Sequence, residues 1–67
     1  MAKPEPMLRA GDRRKLERAV ERRRRAERDL DRLVHELREK DASAIELAEV
    51  LGITRHGVYK MARRGAE

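Results

Sequence analysis

Between Thr54 and Arg64 the chain gathers side chains suited to gripping an anion: Arg55, His56, Tyr59, Lys60, Arg63 and Arg64. The stretch holds four positive charges and no acidic residue. A guanidinium offers a planar fork of donors that fits a phosphate or the O6/N7 edge of a guanine. Arg55 can present that fork, and Tyr59 and Lys60 suit phosphates or a second base. Arg63 and Arg64 are expected at phosphates; both also suit the negative end of a helix dipole. A second basic run precedes this one. Residues 13–28 carry nine Lys and Arg, Arg22 and Arg25 among them, against Glu17, Glu21 and Glu27, a surplus of six. Pairs such as Glu21 with Arg25 and Arg23 with Glu27 can lace part of such a helix. The surplus cations could follow a DNA backbone, face solvent, or meet another anionic partner.

Other chemistry is not expected. His35 and His56 are the only histidines, and neither belongs to a nucleophile or paired-carboxylate constellation. No cysteine is present, which removes thiol catalysis, disulfides and thiolate metal sites. There is no glycine-rich phosphate loop. The expectation is no enzyme, no catalytic residue, no metal, no cofactor and no small-molecule ligand.

Composition agrees with that direction. The chain has 67 residues, 18 Lys+Arg against 13 Asp+Glu, a net charge of +5, and a single Tyr as its only aromatic residue. A pI near 10.4 favours an anionic partner such as nucleic acid. A domain this small buries only about 60% of its unfolded surface, so a second copy is a natural way to complete its core. No apolar run approaches the roughly 20 residues of a membrane span. Met1–Pro6 lacks the apolar stretch of a secretory signal, so a cytoplasmic, nucleoid location is expected.

Three zones must position these side chains. Residues 1–12, with Pro4, Pro6 and Gly11, are expected as a flexible arm. Residues 13–40 lack Gly and Pro and form a long Arg-rich amphipathic helix, with Asp12 as its N-cap. Its heptad seam is Leu16, Ala19, Arg23, Ala26, Leu30, Leu33 and Leu37, with Val20 and Val34 flanking it. A helix of about 28 residues is ~42 Å long, more than the rest of the chain can cover. Residues 41–65 form the third zone. Ser43 and Glu46 make a capping-box pattern, Gly52 stops the helix it starts, Thr54 caps a second helix over 55–64, and Gly65 closes it. The fold class is all-α, three helices in total.

The run from Ala44 to Met61 resembles the helix-turn-helix DNA-binding motif. Ala48 is small where the two helices cross, Gly52 stands at the turn position requiring positive φ, and Leu47, Leu51, Ile53, Val58 and Met61 are apolar at the inner positions. Leu-Gly-Ile-Thr-Arg followed by Val-Tyr-Lys is similar to small bacterial and phage regulators and to the C-terminal domains of site-specific recombinases. The resemblance spans about a third of the chain. It implies that helix 55–64 lies in the major groove, with Thr54, Arg55 and His56 nearest the DNA. No β-hairpin wing or sensor domain is expected with it. Gly57 is expected to allow close approach of DNA or of the first helix.

Together these features point to a small DNA-binding protein, a transcriptional regulator or nucleoid-associated factor. Its expected partner is double-stranded DNA, and a homodimer through the long helix is expected. The expected core is Leu33, Val34, Leu37, Ile45, Leu47, Ala48, Leu51, Ile53, Val58 and Met61. An alternative is a coiled-coil adaptor that docks a protein such as RNA polymerase. A third is RNA binding by the arginine-rich helix.

Overall fold

The computed structural model describes residues 7–67 and contains, among them, three helices and no strand. Helix α1 spans Ala10–Glu39, α2 Ala44–Leu51 and α3 Arg55–Gly65. The chain is all-α. Of the arm expected over residues 1–12, residues 1–6 lie outside the described residues, Met7–Arg9 have no regular structure, and residues 10–12 are not arm but the first turn of α1.

The start of α1 departs from expectation. Arg9 is the N-cap, with extended backbone and no capping side chain, and Asp12 sits within the first turn of the helix. There its carboxylate faces the positive end of the dipole instead of bonding an end N–H. Gly11 is helical too, in open space. The end of α1 is closed by Asp41, whose φ of 61° is the one positive value at a non-glycine among the described residues. Asp tolerates that region better than most side chains. The bond from Ala42 N–H to the Leu37 carbonyl, 2.9 Å, completes the stop.

The caps of the last two helices match their sequence signals. Ser43 Oγ accepts from Glu46 N–H at 3.4 Å. Gly52 has φ 69°, and Ile53 N–H donates to the Ala48 carbonyl at 3.1 Å across the turn. Thr54 Oγ1 accepts from Gly57 N–H at 3.1 Å. Thr54→Ala should cost about 1 kcal/mol, with a melting temperature about 4–8 °C lower for a domain of this size. Thermal unfolding followed by circular dichroism checks this, and an unchanged melting point would mean the cap contributes nothing.

The core is small. Val34 (2% exposed), Ala44, Ala48 and Val58 (0%) are buried, with Leu47, Leu51, Met61 and Ala62 packed around them. Leu33, Ile45 and Ile53, expected inside, are exposed at 48%, 55% and 38%. Helix phase explains the first two. Helix α3 packs on the face of α1 carrying Asp31, Val34 and Arg38, and Leu33 lies about 100° round from Val34. On α2 the buried face is set by Ala44 and Ala48, so Ile45 points elsewhere. Ile53 lies over Gly57 on the surface of the turn.

Gly65 does not close α3 as expected; it is its last residue and the point of closest approach to α1. A Cβ there would collide with the backbone carbonyl of Asp31, 2.5 Å from its carbon and 2.8 Å from Arg32 N. This contact sets how near the two helices lie. From its N-terminus to Leu30, α1 is exposed throughout, Leu16 and Val20 included. The molecule extends 54 × 26 × 19 Å, and its radius of gyration is 17.7 Å. A compact chain of this length would have about 11 Å.

Candidate nucleic-acid interface

Helix α3 divides cleanly into two faces. Val58, with Met61, Ala62 and Gly65, turns inward, while Arg55, His56, Tyr59, Lys60 and Arg63 are exposed. Thr54 is exposed at the entry, its hydroxyl held by Gly57 N–H, so the first turn of α3 is fixed and its leading side chains face out. Among the described residues, Arg55, Lys60 and Arg63 have no carboxylate within 4 Å. Three concentrated positive charges therefore stand on one short helix face with no internal counter-charge.

Arg64 is placed differently. Its guanidinium donates to both carboxylate oxygens of Asp31 on α1, from Nε at 3.1 Å and Nη2 at 3.4 Å. The hydrogen bond to Asp31, and then the charge of Asp31, raise the Arg64 pKa above its ordinary value; partial desolvation works weakly against this. The helix thus finds part of its charge relief within the fold. Arg64 ties the end of α3 to α1, beside the Gly65 contact.

Sequence reasoning missed Arg38. Its guanidinium lies over the Tyr59 ring, 5.5 Å from the centroid, and its Nη1 donates to the Ala42 carbonyl at 2.7 Å. Arg38 adds a cation beside the α3 surface and braces Tyr59. Only the α1–α3 packing brings the two together, so no local signal marked it. Within the chain Gly57 does not make the expected close approach to α2, the first helix of the pair: a Cβ there would meet Ile53 Cδ1 at 3.1 Å, so the close contact is with the turn.

Arg22 and Arg25 are exposed on the projecting half of α1. Helix α3 runs against α1, with Tyr59 beside Arg38 and Gly65 beside Asp31. Arg25 therefore lies about 9 Å, and Arg22 about 14 Å, beyond the near end of α3 along the α1 axis. The structure does not bring them to Arg55. Glu46 and Glu49 make the outer face of α2 acidic. His35 is partly buried and lies 3.7 Å from Glu39.

Between α1 and α3 an open groove of about 530 Å³ is lined by Leu30, Met61, Glu27, Asp31 and Arg64. No cluster of three or more metal-ligating side chains occurs among the described residues. No helix among them is long and apolar enough to cross a membrane. A scan against protein-family models and searches of curated proteins and of solved structures return no match to this chain.

Proposed function

We propose that this protein binds double-stranded DNA as a small regulator or nucleoid-associated factor. Helix α3 enters the major groove, Arg55 meets a base edge, and Tyr59, Lys60 and Arg63 meet phosphates or a neighbouring base. Thr54 and His56 flank the entry. Arg22 and Arg25 lie on phosphates further along the duplex, and the long helix holds two copies together. Arg64 serves the fold first, through Asp31, and reaches phosphate only at the edge of the site.

One observation carries the reading: the outward face of α3 holds Arg55, Lys60 and Arg63 without carboxylate partners, on a helix fixed by the Thr54 cap and the Gly52 turn. Like charges so close repel one another, and a polyanion relieves them while releasing its own counterions.

Fluorescence anisotropy with a labelled random-sequence duplex, at two salt concentrations, tests it. Wild type is compared with Arg55→Ala. Binding should fall steeply with salt. If Arg55 reads bases, Arg55→Ala should weaken binding to a selected site by about 1–3 kcal/mol and random DNA much less. Tight random binding that Arg55→Ala barely alters would assign the protein to backbone-led packaging instead. No binding to random duplex, together with an empty selection from genomic fragments, would overturn the DNA reading.

A further inference from the structure

Lys15, Arg22, Asp29 and Glu36 recur every seven residues along one edge of α1. The first two are basic and the last two acidic. All four are exposed, and none has an ion-pair partner within 4 Å among the described residues. The same helix does pair Arg13 with Glu17, Arg23 with Glu27 and Arg28 with Glu21. The unpaired edge borders the line Leu16, Ala19, Ala26, Leu30 and Leu33, which is exposed as well. Helix α3 covers the neighbouring face of α1 and leaves this line open.

We propose that this edge and line dock on a second copy of the chain in antiparallel orientation, with Lys15 of one copy against Glu36 of the other and Arg22 against Asp29. The inference rests on the homodimer reading above and supplies its orientation and register; it assigns Arg22 to the second copy and leaves Arg25, on the outer side of α1, for phosphate.

The register follows from the heptads. In an antiparallel pair, a and d positions of opposite helices lie level. Setting Leu16 level with Leu33 places Ala19 level with Leu30 and Arg23 level with Ala26. The two-fold axis then falls between Arg24 and Arg25. Each layer sets a small side chain or two leucines together, and Ala26 leaves room for the Arg23 stem to lie across it. The same register brings the edge residues face to face. Lys15 meets Glu36, Arg22 meets Asp29, and symmetry repeats both, giving four opposite-charge pairs. On the opposite edge Val20 comes across from Glu27, at the mouth of the groove lined by Leu30 and Met61. The paired length, Lys15 to Glu36, is about three heptads, enough for a coiled-coil seam.

The parallel alternative is poorer at the centre of the seam and along its edge. It sets Arg23 against Arg23 and aligns the two cationic halves. Along the edge it puts Lys15 opposite Val20, and Asp29 opposite a Val34 already buried under α3. Its one favourable pair, Arg22 with Glu27, competes with Arg23, which holds Glu27 at 3.1 Å. Under the antiparallel arrangement the two α3 helices lie about 30 Å apart along the coil, near the ~34 Å turn of B-DNA.

Sedimentation equilibrium on the full chain tests the charges. Lys15→Glu with Arg22→Glu should raise the dimer dissociation constant about tenfold or more, since four attractive pairs become repulsive. Adding Asp29→Lys and Glu36→Lys in the same chain should restore it to within about threefold of wild type. All four sites are exposed, and circular dichroism confirms that each variant keeps its helices. Orientation is read by disulfide formation, because the chain has no cysteine of its own. Ala19→Cys mixed with Leu30→Cys should give a mixed disulfide dimer. A Cys-linked dimer from Ala19→Cys alone would keep the dimer but overturn the antiparallel register. A wild type that stays monomeric to millimolar concentration would overturn both. Loss without rescue in the four-fold swap would overturn the edge pairing.

Discussion

Gly65→Ala should destabilise the protein by at least about 2 kcal/mol, although alanine is the better helix former by about 1 kcal/mol. The added methyl has nowhere to go: it points at the Asp31 carbonyl and lies 2.8 Å from Arg32 N, both backbone atoms of α1. Overpacking of that kind costs about 1–3 kcal/mol where side chains can adjust, and here the opposing atoms are main chain. The helices would have to move apart, which loosens Val34 against Val58 and lengthens the Arg64–Asp31 hydrogen bonds. A chain of this length has only a few kcal/mol of total stability, and four buried residues supply its core. Urea unfolding should show the transition midpoint falling by a large fraction. A gain in stability would show that α3 does not cross α1 at Gly65.

The second large effect concerns binding alone. Arg55→Glu, Lys60→Glu and Arg63→Glu together should lower DNA affinity at least about a thousandfold and flatten its salt dependence, because three cations become anions facing phosphates. Folding should be unaffected, since all three are exposed and none holds a carboxylate among the described residues. Arg64 is left out on purpose; changing it would disturb the tie to Asp31 and mix stability with binding. If the chain is instead an adaptor for a protein partner, the triple variant should bind that partner as wild type does. Retained DNA affinity would exclude α3 as the reading helix and leave the arginine-rich half of α1 as the contact.

Legibility in the sequence followed the range of the interactions. Ser43, Gly52 and Thr54 act on backbone groups within five residues, so their spacing alone marks both helix starts and the turn between them. The outward placement of Arg55, Lys60 and Arg63 follows from the period once Val58 and Met61 are inside. The Arg64–Asp31 pair spans 33 residues and depends on the crossing of two helices. Nothing local marks it, nor Arg38 over Tyr59, nor Gly65 against Asp31. The apolar stripe of α1 is wider than one neighbour can cover. Its period shows which residues avoid water, but not that α3 takes Val34 while Leu33 stays open. Gly65 looked like a helix stop because glycine serves both as terminator and as a gap for close packing.

The one-sided support of α1 also divides the helix in time. Its last two turns are clamped by α3 and share the cooperative unfolding of the core. The twenty or so residues before them are held by their own hydrogen bonds and a few surface ion pairs, which makes an isolated helix in water only marginally stable. In the single chain their amides should exchange with solvent through fast local fraying, while those near Val34 should wait for global opening. A partner that covers the cationic half should therefore slow exchange there, which makes amide protection a direct gauge of whether the protein is alone.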